Sequence, residues 1–408
     1  MITDYARIRK KYKEEKTMER ISIPIALQVC FDDIGWDNGA DLRLQGKASR
    51  TGLPRYHTYE DYEAVHLLGK GIGQRIVTPL CLADWDKDNL LRGQIGITHD
   101  PSGWNRAEEI NRKEFERYAA LMDTSDSFDI TVHGLLHGVY DENGKQIHEH
   151  EFFHTVRESG VSKDGPIPKW GFDRRMELFF KIYKSWGFKK EIKNFVSPGG
   201  TYGDLEGIET IASWLYGIGI RNWTNKYPFK EDPVRSVSGV TCVTSGGAMP
   251  GTFASPPWNC YDFDPEVLGH FVSHENRGGV ATFSMHWPNI LRFNPARNAE
   301  SIGRWIDYFK AEAEIFGTML SKDLAFAGNQ LFYHHHTKIE KTAEGYRFDV
   351  SEAMEKKSAH HPDTLYVSIK KGIRPTAKGG ATVSLYEEHK DFDTYKIDHS
   401  ENIFEILI

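Results

Sequence analysis

The sequence predicts an α/β fold: a parallel β/α barrel followed by a small antiparallel β domain. Three observations predict it. Short β-rich runs alternate with longer helical stretches over about 300 residues, the pattern of a parallel sheet repeated often enough to favour a barrel. Near residue 324 the texture changes to alternating polar and apolar positions, as in antiparallel strands. The length of 408 residues, 39% of them hydrophobic, suits two domains with a sizeable core. The expected organisation is a charged, helix-prone arm over 1–19, the barrel over 20–323 and the β domain over 324–408.

In chain order, the strand candidates of the barrel are 21–31, 74–82, 128–133, 193–197, 218–223, 237–243 and 280–286. Each is a short apolar or β-branched run bounded by turn residues. Helix candidates lie between them at 58–70, 107–122, 172–186, 204–216 and 298–316. Beyond 324, the segments LFYHHHTKIEK, GYRFDV, TLYVSIK, ATVSLYEE and DTYKID read as strands.

A net charge of −7 argues against a nucleic-acid partner. Cys30, Cys81, Cys242 and Cys260 are far apart and predict neither a disulfide framework nor a structural zinc site. The apolar run after the N-terminal arm is short and leads into acidic residues, so it reads as a core strand rather than a signal peptide. No stretch is long enough to cross a membrane, and a cytoplasmic protein is the expectation.

Chemistry in a parallel barrel gathers at the C-terminal ends of its strands. Four such ends stand out here. The first carries two adjacent carboxylates, Asp32 and Asp33, in QVCFDDIGW; the second carries His133 and His137 in HGLLHG. The third is the Pro-Gly loop FVSPGGTYGD over 195–204, and the fourth ends in His286 within FSMHW. Adjacent carboxylates repel, so something positive should lie near them. Histidines four apart on one helical turn share a face and can hold one metal ion. A carboxylate would complete a three-ligand set with positions left open for water and substrate. The second carboxylate could then act as a base and a histidine across the cleft as an acid.

This arrangement resembles the polysaccharide deacetylase family, the NodB-homology carbohydrate esterases, whose fold is a deformed (β/α) barrel. Cys30-Phe31-Asp32-Asp33 is similar to the family's Thr-Phe-Asp-Asp-Gly, which implies that Asp32 is the catalytic base and Asp33 a metal ligand. His133 and His137 match its His-x-x-x-His and would be the other two ligands. Met285-His286 resembles its final Leu-His, making His286 the general acid. Val196-Ser197-Pro198-Gly199-Gly200 partly meets Arg-Pro-Pro-Tyr-Gly and assigns the oxyanion-binding N–H to Gly199. Gly219-Ile220-Arg221-Asn222-Trp223 keeps only the Trp of Asp-x-x-Asp-Trp. Val196 therefore replaces an Arg that orients the base, and Gly219 an Asp that orients the acid; Arg221 is the nearest substitute. The resemblance spans roughly residues 20–320. It implies a divalent metal, zinc first, with cobalt, nickel, manganese or iron also compatible.

The expected activity is removal of acetyl groups from N- or O-acetylated sugars. A same-fold amidase acting on a small non-peptide amide is one alternative. A carbohydrate-binding protein impaired in catalysis, motivated by Val196 and Gly219, is another. Two histidines and a carboxylate also suit a non-haem iron enzyme, although its usual β-sandwich is disfavoured here. Trp36, Tyr202, Trp223 and Trp287 sit beside the motifs and are candidates to stack on a sugar ring. Asp32-Asp33 could instead be a solvated turn or helix cap. HEFFH over 150–154 fits the HExxH pattern of zinc proteases, but only a very short helix fits there. The histidines of 334–336 read as part of a solvated strand.

Overall fold

The computed structural model describes residues 20–40, 52–158, 161–199, 205–225, 233–244 and 282–408. The N-terminal arm, Tyr202 and Cys260 lie outside the described residues. The first strand candidate is divided at Ile23-Pro24 into β1 (Ile21–Ser22) and β2 (Ile25–Asp32). The strands that follow are β3 (Ile76–Cys81), β4 (Phe128–Gly134), the pairs β5 (Val139–Tyr140) with β6 (Gln146–His148) and β7 (Phe153–Glu158) with β8 (Val161–Pro166), then β9 (Asn194–Val196). Next come β10 (Asn222–Asn225), the hairpin β11 (Val234–Val237) and β12 (Val240–Thr244), β13 (Thr282–His286) and β14 (Thr318–Leu320). The C-terminal strands are β15 (Lys338–Lys341), β16 (Gly345–Asp349), β17 (Thr364–Lys370), β18 (Thr376–Lys378), β19 (Ala381–Glu388), β20 (Phe392–His399) and β21 (Ile403–Leu407). The helices are α1 (Tyr59–Ile72), α2 (Arg106–Glu109), α3 (Arg112–Thr124), α4 (Lys169–Ser185), α5 (Leu205–Gly217), α6 (Asn298–Ala313), α7 (Leu324–His336) and α8 (Ser351–Lys356).

The fold is mixed α/β. One nine-stranded sheet runs in the order β11-β12-β10-β9-β4-β3-β2-β13, with β14 also beside β2. All its pairings are parallel except that of β11 with β12. The central strands β2 and β3 are buried along their whole length. Parallel strands with both faces covered read as near-continuous apolar runs, which is why IALQVCF and IVTPLC show no alternation. Helices α1, α3, α4, α5 and α6 supply apolar residues to the main core that covers the sheet.

Residues 334–336 end a helix, not a strand. Asp323 caps α7 by accepting from the Phe326 N–H at 2.8 Å. Ala327, Leu331 and Phe332 of this helix join Ile25 of β2, Val234 of β11 and Val243 of β12 in one apolar cluster. On a flat sheet β2 and β11, six places apart, would be about 29 Å from each other. A single helix cannot span that, so the sheet curls towards α7. Tyr333, also from α7, belongs to a different core, shared by Val367, Ile397, Phe404 and their neighbours. A helix buried on both sides has no polar face, and this one carries its histidines at its end.

The C-terminal strands form two antiparallel sheets, β1-β17-β20-β19 and β15-β16-β21-β18. They agree with the expected antiparallel texture, but β1 comes from the other end of the chain. Gln330 of α7 ties the parts together. Its side-chain amide donates to the carbonyls of Pro24 and Tyr366, both at 2.9 Å, and accepts from the Tyr366 N–H at 3.0 Å. Replacing Gln330 with Ala should strand buried backbone groups and lower stability by roughly 2–4 kcal/mol. Urea unfolding at equilibrium checks this, and an unchanged midpoint would mean that these bonds contribute nothing net.

Candidate metal centre

The site stands at the C-terminal ends of β2, β3 and β4, and two departures from regular strand geometry create it. Asp33 follows β2 with a φ of 68°, in the left-handed region that non-glycine residues rarely occupy. The chain then rejoins β3: the Ile34 N–H donates to the Pro79 carbonyl at 3.1 Å, and the Cys81 N–H to that of Ile34 at 2.8 Å. Asp33 is thus a single residue turned out of a pairing that continues past it. The second departure lies between β3 and β4. Leu80 is opposite Val132 but Cys81 is opposite Gly134, so His133 is the extra residue of a bulge. Bulges re-aim side chains near active sites. Gly35, with a φ of 110°, passes so close to the Cys81 carbonyl that a Cβ would sit 2.5 Å from its oxygen.

These turns bring three imidazoles to one carboxylate. Asp33 Oδ1 is 3.3 Å from His133 Nε2 and 3.6 Å from His137 Nε2, while Asp33 Oδ2 is 4.0 Å from His286 Nε2. Asp32, Asp33, His133 and His137 are buried. Burial alone would raise the Asp33 carboxyl. The field of His137, the contact with His133 and the field of His286 together hold it far below the usual carboxylate range. Burial would lower the His133 imidazole, but contact with Asp33 and the charge of Asp32 raise it.

His133 Nδ1 lies 2.9 Å from the Val196 carbonyl, an acceptor only, so this nitrogen carries the proton and Nε2 presents a lone pair. Val196 thus serves the site through its backbone, whatever its side chain. Asp33, Cys81 and His133 form a buried group that could hold a metal ion, their ligand atoms all within 4.8 Å of one another. Tetrahedral ligands about 2.0–2.1 Å from a zinc ion stand about 3.3–3.5 Å apart. The 3.3 Å from Asp33 Oδ1 to His133 Nε2 falls in that range, while His137 Nε2, at 3.6 Å from the same oxygen, lies just outside it and His137 is not in this group. Asp33 Oδ1 and His133 Nε2 are buried without a hydrogen-bond partner, despite their proximity.

His133 and His137 do not share a helical turn, contrary to the expectation from their spacing. His133 is in β4, and His137 follows in a bend with a φ of 52°. What holds that bend is Glu151. Its buried carboxylate accepts from the Leu135 N–H at 2.9 and 3.0 Å and from the His137 N–H at 3.0 Å. A Cβ on Gly134 would lie 2.3 Å from Glu151 Oε2, so only glycine admits the carboxylate there. Burial raises the Glu151 carboxyl, partly offset by the buried Arg175 guanidinium at 3.8 Å. The HEFFH segment is accordingly a turn leading into β7, and its Glu supports the histidine bend. Sequence reasoning missed this role of Glu151 and the proximity of Cys81; the paired glycines of HGLLHG were the available signal for the first.

The other expected site residues are placed as follows. Asp32 ends β2, with the Cys30 Sγ donating to its Oδ1 at 3.4 Å, and is the register partner of His286 on β13. Gly199, three residues beyond the Val196 carbonyl, has a φ of 68°. Trp36, Trp223 and Trp287 are fully buried in the main core, a correction to their reading as open stacking platforms. The Trp287 face is covered by His57, stacked at 3.9 Å, and Trp223 packs on Phe195 and Phe153. Gly219 precedes β10, at the end of the sheet away from the site. Arg221 donates to the Tyr216 and Ile220 carbonyls and lies over the Tyr216 ring, not at the site.

Glu151→Ala should weaken divalent-metal binding about 10–100-fold, measured by calorimetric titration, because it releases the bend that carries His137. It should also destabilise the fold by about 3 kcal/mol, since Arg175 is left buried without its partner. In the metal-free protein, depressed Asp33 contributes stability fully above its unfolded pKa of about 4 and loses it as pH falls through the lower folded value. Raised His133 contributes fully below its unfolded pKa of about 6.5 and loses it as pH rises through the folded value. The stability difference between wild type and Asp33→Asn should therefore shrink above about pH 7, as read by denaturation midpoints across pH. A difference that grew with pH would contradict the pairing.

In comparisons with known proteins, no family model matches this chain and no curated protein matches it.

Proposed function

We propose that the protein is a metal-dependent hydrolase of a non-peptide amide, with the N-acetyl group of an acetylated sugar as the first substrate class to test and a deformed (β/α) barrel as its fold. One observation carries the reading: a buried Asp33 oxygen lies 3.3 Å from the Nε2 of His133, the spacing of two ligands on one zinc ion, with the Nε2 of His137 at 3.6 Å. The barrel is supported by the curl of the parallel sheet towards α7. Asp33, His133 and His137 would hold the ion, zinc by preference for this mixed oxygen and nitrogen set. When bound, such an ion supplies an acidified water and polarises a carbonyl.

The chain's own groups divide the proton work. Asp32 is free of ligand duty and sits one residue from Asp33, where it can accept a proton from water. His286, its register partner on β13, reaches the same carboxylate cluster from the neighbouring strand and can protonate a leaving amine. Base and acid on adjacent parallel strands face one substrate from two sides. The Gly199 N–H is the candidate oxyanion donor.

The small-amide reading gains from one further observation. Trp36, Trp223 and Trp287 are core residues, so no stacking platform along an extended glycan is found among them. The binding-protein alternative loses its motive, because Val196 acts through its carbonyl and Gly219 lies at the far end of its strand.

The experiment combines metal analysis with acetate- and amine-release kinetics on acetylated chitooligosaccharides and small cyclic amides. Asp32→Asn should retain metal and lose roughly 10²–10⁴-fold in rate. Asp33→Ala should lose both metal and activity, and His286→Ala should keep metal while slowing turnover. Full activity in Asp32→Asn would end the proposal.

A further inference from the structure

We propose that Cys81 is a ligand of the metal centre, its thiolate joining Asp33 and His133; the inference rests on the metal-dependent reading above. Cys81 is fully buried at the end of β3, between the strands that carry Asp33 and His133, and is in no disulfide. Its position follows from the same two irregularities that make the site. The N–H bond to Ile34 fixes it against the chain just after Asp33, and the bulge at His133 sets it opposite Gly134.

The donor chemistry is what points to a cation. The Nδ1–H of His133 is committed to the Val196 carbonyl, so its Nε2 offers a lone pair, and Asp33 Oδ1 is likewise an acceptor. A carboxylate oxygen of Asp33 and a ring nitrogen of His133 lie within 4.8 Å of the Cys81 sulfur, and Asp33 Oδ1 and His133 Nε2 are buried without a hydrogen-bond partner. A thiol has one proton and can serve one acceptor. A proton on His133 can serve the His–Asp pair alone. A divalent ion satisfies the carboxylate, the imidazole and the sulfur together. On binding, the Cys81 S–H bond breaks, its proton passes to solvent, and the sulfur electron pair forms the bond to the ion. A thiolate in the set also changes which ions are taken: soft sulfur favours zinc, cobalt(II) or iron(II) over magnesium and manganese.

Cobalt(II) tests this directly, because a cobalt–thiolate bond has a near-ultraviolet charge-transfer absorption that oxygen and imidazole ligands do not produce. The metal-free full chain is titrated with cobalt(II) as wild type, as Cys81→Ser, and as a variant in which Cys30, Cys242 and Cys260 are all Ser. The band should rise to saturation at one cobalt per chain in wild type and in the variant that keeps only Cys81. It should be lost in Cys81→Ser, with cobalt still retained by Asp33, His133 and His137. Cobalt bound to wild type without the band, or a band that persists in Cys81→Ser, overturns the assignment of Cys81 and leaves the hydrolase reading intact. If wild type takes up no cobalt at all, both fall. Should Cys81→Ser not fold, the variant that keeps only Cys81 decides the matter: no band there refutes the proposal.

Discussion

A carboxylate buried among imidazoles sets the terms for this end of the molecule. Asp33 is almost wholly withdrawn from water on a left-handed backbone, and both features cost free energy. Such an arrangement persists only where its surroundings over-determine it. The neighbouring residues do so in a chain of dependence. Val196 fixes the His133 ring, Glu151 fixes the bend of His137, Gly134 makes room for Glu151, and Gly35 lets the strand close over Cys81. Remove the charge at Asp33 and each of these contacts loses its evident purpose.

Much of this was legible in the sequence, and what was not had definite physical causes. Largely apolar runs ending in FDD, in HGLLHG and in FSMH gave away the strand ends, because parallel strands with both faces covered carry mostly apolar residues. The curl around α7 was hidden by LFYHHH, which reads as alternating although Leu324, Ala327, Leu331 and Phe332 follow helical spacing behind the Asp323 cap. Cys81 could not be foreseen. Its closeness to His133 depends on a one-residue bulge between β3 and β4, and a shift of register leaves no mark in composition or periodicity. The tryptophans misled for a simpler reason. Adjacency to a motif in sequence says nothing of which face of a strand end a ring occupies, and these rings fill the core.

The departures from the deacetylase pattern look different once placed in three dimensions. Loss of an Arg side chain at Val196 matters less where the backbone carbonyl at that position is the group that orients a histidine. Gly219 lies before β10, at the end of the strand opposite the centre. The buried Cys81 on β3 and the buried Glu151–Arg175 pair, from the turn before β7 and from α4, stand near the histidines.

The short strand β1 carries a consequence for how the protein is made. Ile21 pairs with Ile369 and Ser22 with Ser368, and Ile21 and Ile23 are buried in the core of the C-terminal sheets. On the ribosome Ile21 has no strand partner until Ile369 has emerged, 348 residues later (369 − 21). At synthesis rates of about 5–20 residues per second, that is a wait of roughly 20–70 s with apolar side chains uncovered. The parallel sheet can begin to assemble in that interval, but β1 is paired only when β17 arrives. Expression as N-terminal fragments therefore exposes a sticky edge by design of the topology, and chaperone demand should track the time spent before β17 is translated.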